Sequence, residues 1–157
     1  EKAEPLHRGM ILLARYGCLR LTELTTLHMD AREGDMLRVV GKGEEERMVG
    51  INEPLMFALR ALERSGRGYY FPGVKGPHMH PVSVNKIITR VTGWNPHSLR
   101  HAGATAAYNA TGDLRAVQEM LGHASLATTQ RYLHLDNASR RRIATATIIP
   151  GTWQIAA

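Results

Sequence analysis

Only two stretches of the chain have the short, β-branched character of strands, and a glycine-flanked turn separates them. They are residues 36–40 and 47–51, joined by Gly41-Lys42-Gly43-Glu44-Glu45-Glu46. Two such runs around a turn-forming segment read as one antiparallel β-hairpin. Nearly everything else is amphipathic sequence cut into pieces by Gly, Pro and capping residues. The chain is therefore held to a mainly α fold with a small antiparallel β-sheet.

The helical pieces follow from their apolar spacing and their end signals. Leu6, Met10 and Leu13 set a helix over residues 6–16, ending near Gly17. A second, short helix covers 22–27, with Thr22 as its cap. Asn52 caps a helix over 54–64, and Pro54 suits its first turn. Residues 65–81 are rich in Gly and Pro and read as irregular. Residues 83–91 are helical. Pro96 opens a helix that runs to 110 and ends at Gly112. Asp113 caps 114–121, and Gly122 ends it. Ser125 or Thr128 opens a short helix holding Tyr132, and Asn137 starts a last helix carrying Arg140, Arg141 and Arg142.

At 157 residues, 43% hydrophobic and 22% charged, the chain is one domain with a real core, neither disordered nor membrane-like. Its longest aliphatic run, residues 10–14, is far short of the roughly 20 residues that span a bilayer. No signal peptide opens it, no period of solenoid length runs through it, and no linker divides it. The single cysteine, Cys18, excludes an internal disulfide framework and suits a reducing compartment. The chain opens on Glu1 rather than Met, so it reads as a fragment or a processed product. Twenty Lys and Arg against 14 Asp and Glu give a net charge of +6. That balance points to an anionic partner, nucleic acid first, or to an ordinary basic surface.

Four segments stand out together. They are Gly17-Cys18-Leu19-Arg20-Leu21-Thr22-Glu23-Leu24; Gly41-Lys42-Gly43, with Arg47 five after the lysine; Pro96-His97-Ser98-Leu99-Arg100-His101; and Leu121-Gly122-His123, followed nine positions on by Tyr132. Two arginines, two histidines, one lysine and one tyrosine among them make a donor-rich, acceptor-poor cluster, so its targets are anionic oxygens. Arginine forks match phosphate geometry. A tyrosine can attack phosphorus, but a phenol with pKa about 10 needs a base or a cationic field to do so. No carboxylate cluster is placed to hold magnesium, and Gly41-Lys42-Gly43 is not a nucleotide-binding loop. His97 and His101, four apart on one helix face, would also suit a metal, but no third ligand has natural spacing.

This ordered set resembles the catalytic domain of the tyrosine recombinase, or phage integrase, family. The likeness runs from about residue 6 to 142. It is strongest in His97-x-x-Arg100, Leu121-Gly122-His123-Ala124-Ser125, Thr128-Thr129 and Tyr132. The resemblance implies the tyrosine-recombinase catalytic fold over residues 1–147 and a tail over 148–157. It implies that the family's amino-terminal DNA-binding domain lies outside this chain. Cys18 stands where threonine or a small residue is frequent in the family, and Ala102-Gly103 where a bulkier pair is common. Both departures bear on packing more than on chemistry.

Site roles are implied by the same likeness. Arg20 and Arg100 match the pair that clamps the non-bridging oxygens of the scissile phosphate. Lys42 matches the lysine that protonates the 5′-oxygen leaving group. His97 matches the residue that assists proton removal from the tyrosine, and His123 the histidine that donates to the phosphate. Tyr132 matches the nucleophile of a 3′-phosphotyrosyl bond. Glu23 matches an acidic position that orients Arg20, and His101 supports the site through a hydrogen bond. Arg140, Arg141 and Arg142 read either as a solvated face or as phosphate contacts.

The expected activity is site-specific breaking and rejoining of DNA, integrating or excising phage or mobile-element DNA, with no metal and no ATP. The expected partners are double-stranded DNA, further copies of the chain in a tetramer on DNA, and an accessory DNA-bending protein. The expected setting is the cytoplasm of a bacterium or of a phage-infected host. The apolar tail, with Trp153, packs on its own domain or docks on a neighbouring protomer. The alternatives are a type IB topoisomerase-like nicking-closing enzyme and a DNA-binding module without catalysis.

Overall fold

Two hydrophobic clusters meet along the connection that leaves the first helix, and the site lies on that seam. The computed structural model describes residues 4–64, 66, 68–122 and 137–148. The seven described helices are α1 (Pro5–Arg15), α2 (Leu21–Thr25), α3 (Glu53–Glu63), α4 (Pro81–Thr92), α5 (Pro96–Thr111), α6 (Leu114–Leu121) and α7 (Asn137–Ala146). Three strands, β1 (Arg32–Glu33), β2 (Met36–Val40) and β3 (Glu46–Gly50), form an antiparallel sheet in the order β1-β2-β3. Among the described residues no helix is long and apolar enough to cross a membrane.

Helix α1 is the centre of the larger cluster. Proline at its first turn and apolar residues at helical spacing bury Met10, Leu12, Leu13 and Ala14 against α3, α4 and α5. Leu37 and Val39 of β2 and Val49 of β3 close the same core from the sheet side. The irregular stretch after α3 does more than connect: Tyr70 and Phe71 are fully buried in this core. Burial of each such side chain contributes on the order of 1.5–3 kcal/mol. The Tyr70 hydroxyl donates to Glu63 Oε1 at 2.5 Å, and Arg32 forks onto the same carboxylate at 2.6 and 2.8 Å. Strand β1 is thereby fixed to the end of α3.

The smaller cluster gathers Cys18, Ala104, Ala107, Ala116, Val117, Met120, Leu121 and Ile143 between α5, α6 and α7. Its small residues let helices approach closely. A Cβ on Gly103 would run into Arg15 O and lie 2.7 Å from Cys18 Sγ, so only glycine fits where α5 crosses the end of α1. Cys18 and Gly103, two of the three residues that depart from the resembled pattern, therefore pack against each other. Cys18 belongs to the small cluster, Leu19 to the large one, and Arg20 follows directly.

Local sequence signals explain most boundaries. The Asn52 side chain accepts from Leu55 N at 3.1 Å as the cap of α3. Its amide also donates to Ala144 O at 2.9 Å and to Thr147 Oγ1 at 3.1 Å, which docks α7. Asp113 caps α6, and Gly112 and Gly122 end α5 and α6 in left-handed conformation. Three expectations need correction. Thr22 is not the cap of α2; Arg20 holds that position, and Glu23 reaches back to its backbone N–H at 2.7 Å. Helix α4 starts at Pro81, not at residue 83, because His80 Nδ1 accepts from Val82 N and proline is at home in a first turn. The sheet has a third strand, β1, paired as Arg32↔Leu37 and Glu33↔Met36 across a two-residue loop. At two residues, β1 is too short to show an alternating pattern. The expected helix around Tyr132 and the tail beyond residue 148 lie outside the described residues.

Candidate active site

One buried carboxylate organises the site. The Glu23 side chain is 2% exposed and faces three arginines from three elements. Arg20, at the start of α2, donates from Nη1 to Oε1 at 2.8 Å. Arg47, from β3, forks onto both oxygens at 2.8 Å each. Arg100, from α5, stands 3.8 Å from Oε2. Burial pushes the Glu23 carboxyl up, but the hydrogen bonds and charge of Arg47, with the hydrogen bonds of Arg20, outweigh it and hold it below its ordinary value. Three guanidiniums against one carboxylate leave a local excess of positive charge.

The same arginines take hold of the end of α6. Arg47 Nε donates to Met120 O at 2.9 Å, Arg100 Nη2 to Leu121 O at 2.7 Å, and Arg20 Nη2 to Gly122 O at 2.8 Å. Three consecutive carbonyls at a helix C-terminus, where the helix dipole is negative, thus receive one guanidinium each. Arg100 also donates to Cys18 O. Its burial, with the charges of Arg20 and Arg47 nearby, lowers its pKa to about 10. Burial pushes the Cys18 thiol up to about 12, so it is a protonated packing group and no nucleophile.

A cavity of about 560 Å³ opens over this cluster. Arg20 and Arg100 reach it, together with His97, His101, Asn85 and Asn95. Arg20 lies at its mouth, with a side chain 38% exposed, and Arg100 deep, at 8%. Asn95 caps α5 by accepting from Ser98 N at 2.8 Å, so the positive end of a 16-residue helix meets the cavity. His97 and His101 have their Nε2 atoms 2.8 Å apart and their rings nearly perpendicular at 87°. In such a pair one ring donates while the other accepts, so each sets the tautomer of the other. Among the described residues no three His, Cys, Asp or Glu side chains gather as metal ligands do.

The structure brings Arg20, Glu23, His97, Arg100 and His101 together. Lys42 is exposed in the β2–β3 turn and does not line the cavity. The turn nevertheless starts beside the cluster, since a Cβ on Gly41 would lie 3.6 Å from Glu23 Oε1 and 3.9 Å from Arg47 Nη1. Arg140, Arg141 and Arg142 of α7 do not line that cavity either, and Arg141 is paired with Asp35. His123 and Tyr132 lie outside the described residues, one and ten positions past Gly122. Sequence reasoning gave Arg47 no role. The hairpin register held the signal: Arg47 sits opposite buried Val39, on a face where a charge must find a partner. Asn85 and Asn95 in the cavity were missed as well.

The fold is that of the tyrosine-recombinase catalytic domain. The chain belongs to the phage integrase family, whose pattern matches residues 1–139. It is similar to tyrosine recombinase XerD of Pseudomonas putida, 37% identical over 148 residues, covering 82% of this chain and 49% of that protein. It is also similar to tyrosine recombinase XerC of Proteus mirabilis, 40% identical over 146 residues, covering 80% of this chain and 47% of that one. Among solved structures, the integrase from mycobacterium phage Brujita superposes with a TM-score of 0.82 at 25% identity, over 100% of this chain and 58% of that one. The XerH site-specific recombinase, bound to its difH substrate in a pre-cleavage complex, superposes at 0.66 with 27% identity, over 88% and 46%. The chain spans about half the length of the curated relatives it matches.

Proposed function

We propose that the chain is the strand-cleaving and rejoining domain of a site-specific DNA recombinase. The observation that carries this reading is the cavity in which Arg20 and Arg100 converge beside His97 and His101. In-line phosphoryl transfer needs positive charge around the equatorial oxygens, and two arginine forks supply it without proton bookkeeping. Before DNA enters, part of their donor capacity rests on Leu121 O and Gly122 O.

In the proposed reaction the Tyr132 phenolic oxygen attacks phosphorus and the bond to the 5′-oxygen breaks. His97, its tautomer set by His101, helps remove the phenolic proton. Lys42 delivers a proton to the leaving 5′-oxygen. Arg20, Arg100 and His123 hold the non-bridging oxygens. The product is a 3′-phosphotyrosyl ester and a free 5′-hydroxyl. Attack by the 5′-hydroxyl of a second strand reverses the chemistry on a new partner. The ester keeps the free energy of the phosphodiester, so the reaction calls for neither ATP nor a metal.

The substrate of this reading is double-stranded DNA. The working unit is several copies of the chain assembled as a tetramer on that DNA, with an accessory DNA-bending protein as a further partner. The resemblance favours integration or excision of phage or mobile-element DNA. The higher identity to proteins named XerC and XerD, against 25% to a phage integrase, favours a second task, resolution of chromosome dimers.

Incubation with a library of nicked duplexes of randomised sequence tests the chemistry. The chain should become covalently attached to a subset of them, in EDTA as well as without it, and Tyr132→Phe should abolish attachment. An adduct that survives Tyr132→Phe would sink the assignment. Salt-sensitive binding with no adduct would favour a DNA-binding module without catalysis. Sequencing the captured DNA separates the two tasks by the sites it returns.

A further inference from the structure

Arg47 meets the same carboxylate and the same helix end as Arg20 and Arg100, yet it does not line the cavity. Its side chain is 11% exposed and its donors are engaged in protein contacts: both terminal nitrogens on Glu23 and Nε on Met120 O. From this difference we infer that Arg47 is a positioning residue for strand cleavage. It anchors Glu23 and the end of α6 while Arg20 and Arg100 turn their donors to the phosphate.

A guanidinium has five N–H groups in a fixed fork. Arg20 and Arg100 each spend part of that fork on an α6 carbonyl, Gly122 O and Leu121 O. In the proposed reaction these two residues must hold phosphate oxygens, so their carbonyl contacts are the ones open to exchange. Arg47 makes the remaining carbonyl contact from a position away from the cavity, so it has no such exchange to make. It is the permanent tie between β3, α2 and α6.

Two consequences follow for the site. First, Arg47 gives one hydrogen bond to each Glu23 oxygen, and Arg20 gives the other through Nη1 and its backbone N–H. Without it, two acceptor sites of the buried carboxylate would stand open, drawing further donors of Arg20 and those of Arg100 away from a phosphate. Second, Met120 is three positions before His123 and twelve before Tyr132. A firm α6 end fixes where the segment carrying both residues begins. The packing is tight there: a Cβ on Gly122 would lie 3.0 Å from Arg47 Cδ. Misplacement of a reacting group by about 1 Å can cost on the order of 100-fold in rate.

This inference rests on the proposed recombinase chemistry, and its test separates the two. Single-turnover adduct formation on a captured nicked duplex is measured beside affinity for the same duplex by fluorescence anisotropy. Wild type, Arg47→Ala and Arg47→Lys are compared, with folding checked by thermal melting. Arg47→Ala should slow adduct formation by about 10- to 100-fold while affinity shifts by less than about threefold. Arg47→Lys, which keeps the charge but loses the fork, should recover part of the rate. An unchanged Arg47→Ala rate, or a loss of affinity that matches the loss of rate, overturns the inference. If Arg47→Ala does not fold, Arg47→Lys decides alone: a slowed rate at wild-type affinity supports the role and a wild-type rate overturns it. A wild-type chain that forms no adduct overturns the recombinase reading and this inference with it.

Discussion

At the residue scale the chain's chemistry turns on Glu23. A carboxylate at 2% exposure would be costly alone, and Arg20 and Arg47 offset that cost at 2.8 Å. Its carboxyl titrates lower in the folded chain than in the unfolded one. The folded state therefore binds fewer protons, and the stabilisation is fully present above the ordinary glutamate value of about 4.3. It is lost as pH falls through the lower, folded value. Glu23→Gln should lower stability at neutral pH by on the order of 3 kcal/mol, because it leaves buried arginine charge uncompensated. It should also flatten the acid side of the stability profile. Urea denaturation from pH 3 to pH 7 would show both; a variant as stable as wild type across that range would contradict the reading.

At the scale of elements, the approach of α5 to α1 sets where Arg100 sits. Arg100 lies one turn before Gly103, and Gly103 allows the contact with Arg15 O and Cys18. Gly103→Ala should destabilise by about 1–3 kcal/mol, through overpacking against backbone that cannot give way. Thermal melting would register it as a fall of several degrees, and an unchanged midpoint would count against the seam. Much at this scale was legible in the sequence. Asn52, Asp113, Gly112 and Gly122 act as caps where capping rules put them, and the Gly41–Gly43 turn separates β2 from β3. What escaped did so for physical reasons. A two-residue strand has no period to detect, and a helix start capped only by the Glu23 carboxylate reaching back to Arg20 N–H does not look like one led by Thr22. The gathering of Arg20, His97 and Arg100 was legible only through the order and spacing of motifs. Arg47 was not, because its partners lie 24 and 73 positions away and meet it only once the hairpin register is known.

At the scale of the whole molecule, the net charge of +6 is less informative than where charge is concentrated. The positive excess sits at the seam of two hydrophobic clusters, where α2, β3, α5 and α6 come together around Glu23. Placing the cations on packed elements pre-organises them, which is what stabilising a phosphoryl transition state calls for. The segment that follows α6 carries the remaining two residues of the proposed chemistry, so the account stands or falls on Tyr132. Its most direct test is mass spectrometric mapping of the protein–DNA adduct captured from the nicked-duplex library. After digestion of protein and DNA, the residual 3′-phosphonucleotide should be found on the peptide containing Tyr132. The same modification on Tyr16, Tyr69, Tyr70 or Tyr108, or on a serine, would contradict the account.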